Sequence, residues 1–447
     1  METRLTCACG HALTDRDSAR CPHCGREIAG AADGTTGSDP AALGNSHPVA
    51  RTDREPFAGT MKMIEDAEAD PRMPGSGSIF DRVEDVRAPA PVAHARDRWR
   101  DMLLVVVLAA FLPLVSTALH PEKESFEARL QRTFDRATPE QQSLIAARFE
   151  EVQREERAFE DIFEVLPEHR LSGALLPRDS RVHWLFAIAA GAAFFGLVSF
   201  VASREAPRVP LLLAGLFTAT IGILMLLAFQ FIADLTQGVW LRGHGIITIF
   251  FYIVKFIGFS YRAASDPSNG FLLSFVGFTC GVGFCEEACK AFPVVCRQHT
   301  GDVALSWRGA VAWGLVSGAG FGVAEGIMYA GRYYNGVSPA GIYVVRFVSC
   351  VALHAIWAAS VGMTAINAWD VWDQADAWHE YLVALLRFVA VPMVLHGLYD
   401  TLLKRSQEGL AVAVAFSSAL WLGWQIWDSR RREGIAPEIT GEAVAAP

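Results

Sequence analysis

Ionisable side chains lie inside stretches of this sequence that are otherwise apolar enough to cross a membrane. These residues are Glu286, Glu287, Lys290, Glu325, His354, His396 and Asp400. A charge at the centre of a bilayer costs roughly 2.5–3.5 kcal/mol, so such groups must face one another or a water-filled cavity. Glutamates and histidines in a wet cavity can activate water for hydrolysis, by acid–base catalysis or with the help of a metal ion. The pattern therefore predicts a functional site within the membrane.

The first of these segments carries two adjacent acids and one cation. Glu286 and Glu287 precede Lys290 by four and three residues, so on a helix the lysine can pair with either carboxylate. One acid is then held ionised beside the cation, while the other is free to bind a metal or to activate water. A purely structural ion pair would account for only one of the two acids.

The other segments add partners at helical spacing. Glu325 and Tyr329 are one turn apart in a segment whose glycines favour close helix packing. Arg346 precedes His354 by about two turns; taken alone, His354 fits a satisfied core residue as well as a site residue. His396 and Asp400 are four apart, which would let the carboxylate orient the imidazole.

Composition indicates which elements position these groups. The chain is 52% hydrophobic and only 19% charged, below the roughly one quarter typical of soluble domains. We predict an all-α, polytopic bundle of eight or nine spans, with nine favoured. The predicted spans are Met102–Leu119, His183–Ser203, Pro210–Asp234, Gly245–Tyr261, Gly270–Arg297, Gly309–Ala330, Ile342–Ile366, Leu382–Leu403 and Leu410–Trp427. Gly245–Tyr261 is the weakest of these spans, because it is short for a roughly 30 Å hydrocarbon core and contains Lys255.

The domain organisation follows from the same hydropathy. We expect a cysteine-bearing module at 1–27, a disordered tether at 28–97 and a first span at 98–119. A polar helical insert at 120–182, a membrane domain at 183–430 and a flexible tail at 431–447 follow. Within the insert, Thr138, Pro139 and Gln141 form the pattern of a capping box at the start of a helix.

Four cysteines near the N-terminus resemble the ligands of a small zinc ribbon. Cys7, Cys9, Cys21 and Cys24 form two close pairs, each followed by glycine, and four thiolates would complete a structural zinc site. The first pair has one intervening residue instead of the usual two, so His11 or His23 is an alternative ligand. Two disulfides or free thiols are the other interpretation.

Charge and targeting features bear on the cellular location. The first thirty residues lack an apolar segment, so we expect no cleaved signal peptide and a first span that stays as an anchor. Arginines cluster just before that span, which predicts a cytoplasmic N-terminus. No run of basic residues with interleaved aromatics suggests nucleic-acid binding.

The motifs on successive spans together resemble the PrsW-type intramembrane proteases. These motifs are Glu286-Glu287-x-x-Lys290, Phe321-x-x-x-Glu325 with Tyr329, the segment from Arg346 to His354, and His396-Gly-Leu-Tyr-Asp400, and the similarity covers roughly Pro210 to Arg405. The resemblance implies a bacterial cytoplasmic-membrane protein that cleaves a membrane-anchored substrate, for example an anti-sigma factor. It assigns catalysis to Glu286, Glu287, Glu325, His354 and His396. Gly326 departs from the pattern, since an asparagine is expected after the second-motif glutamate.

Two mechanisms and two rival functions stay open at this level. Glu287 would activate water, either alone or as a ligand, with His354, His396 and Glu325, of a divalent metal such as zinc; Glu286 beside Lys290 would tune the charge or donate a proton. Lys290, Arg346 and Asp400 are expected to support the site. The rivals are a transporter or channel with a buried proton or solute path, and a zinc-ribbon membrane scaffold. A transporter favours inverted repeats, and the sequence has no evident internal repeat.

Overall fold

The computed structural model describes residues 98–120, 124–154 and 159–442. The predicted zinc ribbon with Cys7, Cys9, Cys21 and Cys24, and the predicted tether after it, lie outside these residues and stay predictions. Of the predicted flexible tail at 431–447, residues 431–442 belong to the last helix, and the residues after 442 lie outside the described part of the chain. The following description therefore concerns the membrane domain and the polar insert.

The described chain folds into helices joined by short loops, which confirms the predicted all-α, polytopic class. The helices are α1 (Arg98–Leu119), α2 (Phe126–Arg136), α3 (Pro139–Arg154), α4 (His183–Val201), α5 (Arg208–Leu235), α6 (Ile246–Ser265), α7 (Phe271–Thr300), α8 (Trp307–Tyr334), α9 (Ala340–Asn367), α10 (Trp369–Asp373), α11 (Trp378–Lys404) and α12 (Glu408–Glu442). All except α2, α3 and α10 are long and apolar enough to cross a membrane, which gives nine candidate spans among the described residues.

The polar insert is a small helical unit with its own apolar core. The capping box at the start of α3 is present, because Gln141 N donates to Thr138 Oγ1 (3.3 Å) while Thr138 N donates to Gln141 Oε1 (3.0 Å). Side chains from both helices and from the following 3₁₀ turns, including Ile145, Val152 and Ile162, are buried together.

The insert is attached to the membrane bundle by backbone hydrogen bonds. Leu171 N donates to Gly336 O and Gly336 N donates to Leu176 O, both at 2.8 Å. Gly336 lies in the loop between α8 and α9 and has a φ of +75°, a conformation that favours glycine. These bonds fix the insert at one end of the bundle, which we call the insert end.

The opposite end of the bundle is marked by a tryptophan contact. The rings of Trp99, at the start of α1, and Trp307, at the start of α8, lie 5.8 Å apart edge to face. Trp307 Nε1 also donates to Glu433 Oε2 in α12 (3.0 Å). We call this the Trp99 end.

Helices α8 and α9 form the centre of the bundle. They run antiparallel, and Gly314, Gly318 and Gly322 of α8 lie directly against α9. A Cβ on Gly314 would come within 2.6 Å of the carbonyl oxygen of Ala358, so the close approach of the two helices depends on these small residues. This packing sets the distance between Glu325 on α8 and His354 on α9.

Candidate active site

Four helices bring the predicted site residues into one cluster. Glu286, Glu287 and Lys290 lie on α7, Glu325 on α8, Arg346 and His354 on α9, and His396 and Asp400 on α11. Every one of these eight residues contacts at least one other member through a charged or imidazole group. The structure therefore brings the predicted site residues together in one cluster.

Wide π-helical turns precede Glu286 on α7 and His354 on α9. Phe278–Gly283 comes just before Glu286 in α7, and Val345–Cys350 comes just before His354 in α9. A π turn changes the rotation of the residues that follow it relative to a regular helix and is frequent at functional sites. Which face Glu286 and His354 present thus depends on turns that the sequence spacing did not indicate.

Lys290 lies at the centre of the cluster and is completely buried. Its Nζ donates to Glu287 Oε1 (2.8 Å) and to Glu286 Oε2 (3.4 Å). It also lies 2.8 Å from His354 Nδ1. The lysine pairs with both carboxylates, although the sequence left open which of the two it would choose.

His354 is held from both sides of its ring. Its Nδ1 faces the Lys290 ammonium, whereas its Nε2 lies 2.7 Å from Glu325 Oε2. A protonated lysine can only donate, so this arrangement favours the tautomer in which Nε2 carries the proton and donates to Glu325. The neutral imidazole then presents a lone pair at Nδ1.

His396 is oriented mainly by Glu287. Its Nδ1 lies 3.0 Å from Glu287 Oε1, while Asp400 Oδ2 lies 3.5 Å from its Nε2, at the limit of hydrogen bonding. The sequence predicted Asp400 as the orienting partner because of its helical spacing. The nearer contact instead comes from another helix, 109 residues away along the chain.

Arg346, which the sequence predicted as a supporting residue, contacts the second glutamate. Its Nη2 lies 3.2 Å from Glu325 Oε1, and its guanidinium lies 4.4 Å from the centre of the Tyr329 ring. Glu325 therefore connects Arg346 to His354 through its two oxygens. Gly326, the departure from the family pattern, faces Phe347: a Cβ there would lie 2.9 Å from the Phe347 ring, so an aromatic ring occupies the space beside the position where asparagine was expected.

Trp357 and Ser418 are site neighbours that sequence reasoning missed. The Trp357 ring stacks on the His396 imidazole, with centroids 4.3 Å apart and planes inclined by 18°. Its Nε1 donates to Ser418 Oγ on α12 (2.9 Å). The position of Trp357 one turn after His354 was the available signal, while nothing in the sequence around Ser418 pointed to the site.

The cluster opens towards the insert end. The side chains of Glu287 and Lys290 are 0% exposed, whereas those of Arg346 and Asp400 are 19% and 25% exposed. Asp400 lies one turn before Lys404, the last residue of α11. The cluster is thus partly exposed at Arg346 and Asp400 and completely buried at Glu287 and Lys290.

Three residues of the cluster lie close enough together to hold a metal ion. Glu286, His354 and His396 each offer a ligand atom, and these atoms lie within 4.8 Å of one another. Glu286 Oε2 lies 4.0 Å from His354 Nδ1 and 3.7 Å from His396 Nε2. Ligands of a tetrahedral zinc ion with bonds of about 2.1 Å are about 3.4 Å apart, so small side-chain adjustments would suffice.

The charges of the cluster also suit a divalent cation. The cluster contains four carboxylates, Glu286, Glu287, Glu325 and Asp400, but only two permanent cations, Lys290 and Arg346. In addition, Glu287 Oε2 is buried without a protein hydrogen-bond partner, although burial of such an oxygen is costly. The sequence placed Glu287 among the metal ligands; in the structure its Oε1 is already engaged by Lys290 and His396, and Glu286 occupies the place between the two histidines.

Comparison with known proteins identifies the same part of the chain. Residues 239–424 match the model of the PrsW family of intramembrane metalloproteases. The matched segment contains all eight cluster residues and excludes the insert. No curated protein and no solved structure shows significant similarity to this chain.

Proposed function

We propose that this integral membrane protein hydrolyses a peptide bond of a membrane-anchored protein at the Glu286–His354–His396 cluster. Over residues 239–424 the chain belongs to the PrsW family of intramembrane proteases. One observation carries the proposal: Glu286, His354 and His396, which could hold a metal ion, lie beside Glu287, whose buried Oε2 has no hydrogen-bond partner. A regulator with a single membrane anchor, such as an anti-sigma factor, is the kind of substrate that the family resemblance implies.

Glu286, His354 and His396 are the residues that would hold a divalent ion, and zinc suits their mixture of nitrogen and oxygen donors. A bound ion would supply Lewis-acid chemistry, because it polarises a carbonyl oxygen and makes water a better nucleophile. The lone pair of His354 Nδ1 currently faces Lys290 Nζ at 2.8 Å, so binding requires a small displacement of the lysine.

Glu287 is the general base in this proposal. Lys290 and His396 hold its Oε1, which leaves Oε2 to take a proton from the attacking water. The same oxygen can return the proton to the leaving amine, so the carboxylate ends the cycle ionised. Lys290 keeps Glu287 ionised between turnovers, and Glu325 holds the tautomer of His354 that presents Nδ1.

The direct test uses Glu287→Gln in the full-length chain. Bacterial membranes that contain either the wild-type protein or the variant are compared by mass spectrometry. The measurement identifies new N-termini that cleavage creates within the membrane segments of other proteins. We expect such N-termini only with wild type and with the control Glu205→Gln, which alters an exposed loop glutamate. Identical N-termini with Glu287→Gln would refute the proposed base.

Metal content separates the metal-assisted mechanism from a metal-free glutamate–histidine mechanism. The N-terminal cysteines would bind zinc of their own, so metal is measured in a chain with Cys7, Cys9, Cys21 and Cys24 replaced by serine. We expect about one divalent ion per chain, lost in His396→Ala, and cleavage inhibited by a chelator. Full activity of metal-free protein would favour the metal-free mechanism.

The proposal also includes an N-terminal zinc ribbon. It places the protein in the bacterial cytoplasmic membrane with its N-terminus in the cytoplasm. If the ribbon is an independent structural module, Cys21→Ser should release its zinc while cleavage persists. Loss of cleavage in this variant would instead make the ribbon part of the catalytic assembly.

A further inference from the structure

The starts of α1 and α8 meet the later part of α12 at the Trp99 end of the bundle. The start of α1 contacts the start of α8 through Trp99 and Trp307, whose ring centroids are 5.8 Å apart. Near residue 430, α12 reaches the same place: Glu433 accepts a hydrogen bond from Trp307 (3.0 Å), and the Arg430 guanidinium lies 4.9 Å from the centre of the Trp307 ring. A chain that starts and finishes its spans at the same end crosses the membrane an even number of times, whereas nine candidate helices are present.

The extra helix lies between the start of α5 and the start of α7. The end of α4 is at the Trp99 end, since Phe200 lies under the Arg98 guanidinium at 5.4 Å. Ala202 and Ala206, in the short connection to α5, are buried in the same apolar cluster as Trp99. Helix α5 therefore starts at the Trp99 end.

Helix α7 starts at the other end. Lys404, the last residue of α11, donates to Ser274 Oγ in the first turn of α7 (3.0 Å). The loop after Lys404 borders Ala118, at the end of α1 from which the insert departs. Helix α7 then finishes at the Trp99 end, where Gln298 accepts a hydrogen bond from Leu305 N, two residues before Trp307.

The chain between residues 208 and 271 therefore makes one net crossing, although it contains two candidate spans. Helix α5 makes this crossing, because it follows α8 from Thr218, which donates to Ser317 O (2.7 Å), into the cluster that joins Leu226 to Ala324. Helix α6 packs instead on the finish of α5 and the start of α7. Gly258 lies against the backbone of Ala233, and Gly277 against that of Ala264.

We propose that α6 does not cross the membrane but lies within the leaflet at the insert end, where its apolar face binds lipid. Ile247, Ile249 and Phe250 on this helix are 75%, 54% and 57% exposed. Lys255 Nζ donates to Val239 O (2.6 Å) and lies 3.8 Å from the centre of the Trp240 ring. Lysine and tryptophan side chains of this kind are enriched where acyl chains meet headgroups.

Cysteine labelling tests this topology independently of any enzyme activity. Ser268 is exposed in the loop between α6 and α7, Asp135 is exposed in the insert, and Arg432 is exposed on α12 next to the Trp99 end. Each is replaced by cysteine in the full-length chain with its four N-terminal cysteines changed to serine. A sulfonated, membrane-impermeant maleimide is applied before and after permeabilisation, and label on the parent chain is subtracted.

If α6 lies within the leaflet at the insert end, Ser268→Cys should be labelled from the same side of the membrane as Asp135→Cys. Arg432→Cys should then be labelled from the opposite side. Nine crossings predict that Asp135→Cys and Arg432→Cys share a side and that Ser268→Cys labels from the other, and this result would overturn the proposal. Pro267→Cys serves as a second loop position in case Ser268→Cys disturbs the loop, since Ser268 hydrogen-bonds to Asp266.

A further substitution tests the lipid contact itself. Maleimide reacts with thiolates in water, so Ile249→Cys should label at least tenfold more slowly than Ser268→Cys when both sides are open to the reagent. Equal labelling rates would mean that α6 projects into water, which would refute the proposed contact with the leaflet.

Discussion

Two lysines in apolar helices of this protein are accommodated in opposite ways. Lys290 in α7 is fully buried, and its Nζ lies within 3.4 Å of Glu286, Glu287 and His354. Lys255 in α6 is partly exposed and turns to a backbone carbonyl and the face of Trp240. Attraction to the neighbouring carboxylates offsets the free-energy cost of removing the first lysine from water. The second lysine instead extends towards a polar boundary. The same residue type therefore marks a candidate active site in one helix and a membrane boundary in the other.

Removal of the buried lysine should have the largest effect. Lys290→Met leaves two carboxylates buried without their cation, a change that typically destabilises by about 3–5 kcal/mol. We expect this loss in the free energy of unfolding, measured in mixed micelles, together with the loss of cleavage. Wild-type stability in this variant would mean that the carboxylates bind protons instead of pairing with Lys290.

His396→Ala should abolish cleavage without unfolding the protein. The imidazole is a proposed ligand and also contacts the base Glu287 (3.0 Å), whereas the Trp357 ring that stacks on it keeps its own hydrogen bond to Ser418 when the imidazole is removed. The measurement is cleavage of the substrate together with resistance of the folded protein to an added protease. Wild-type turnover would exclude His396 from the reaction and leave His354 as the histidine to test.

Asp400→Asn should have a moderate effect on cleavage. Loss of a carboxylate that orients a catalytic histidine commonly lowers activity by about 10- to 100-fold. We expect roughly 10-fold here, at the low end of that range, because the contact to His396 is long at 3.5 Å and Glu287 already orients the ring. A loss as large as that of His396→Ala would show that Asp400 takes part in the chemistry directly.

The pair of Trp357 and Ser418 should affect stability to a smaller extent. Ser418→Ala removes the acceptor of a buried indole N–H, which should cost about 1 kcal/mol of unfolding free energy. In a Trp357→Phe background, where no N–H is left to satisfy, the same change should cost much less. Equal losses in the two backgrounds would mean that the hydrogen bond does not couple the two residues.

Lys255→Met should have the smallest effect and completes the comparison with Lys290→Met. Because the Lys255 ammonium lies at the surface of the helix, we expect a change in unfolding free energy within about 0.5 kcal/mol and unaltered cleavage. A loss of several kcal/mol would place Lys255 in an essential contact and would contradict its assignment to the membrane boundary.

The sequence by itself determined the helical class and the location of the apolar helices, and it selected the residues that meet in the candidate site. Apolar segments of this length have few other uses, and charges inside them are costly enough to stand out without any knowledge of the fold. The sequence also predicted the capping box at Thr138, because both of its hydrogen bonds join residues only three positions apart.

Only the tertiary structure decided which groups meet. The contacts of Glu287 with His396, of Glu325 with His354 and of Trp357 with Ser418 join residues 109, 29 and 61 positions apart. They depend on helix rotation, which π turns change, and on the glycines that bring α8 against α9. The direction of each helix was also hidden from hydropathy, which records length and composition but not the end at which a helix begins. Contacts such as that of Trp307 with Glu433 supply the direction, because they fix which helix ends lie together.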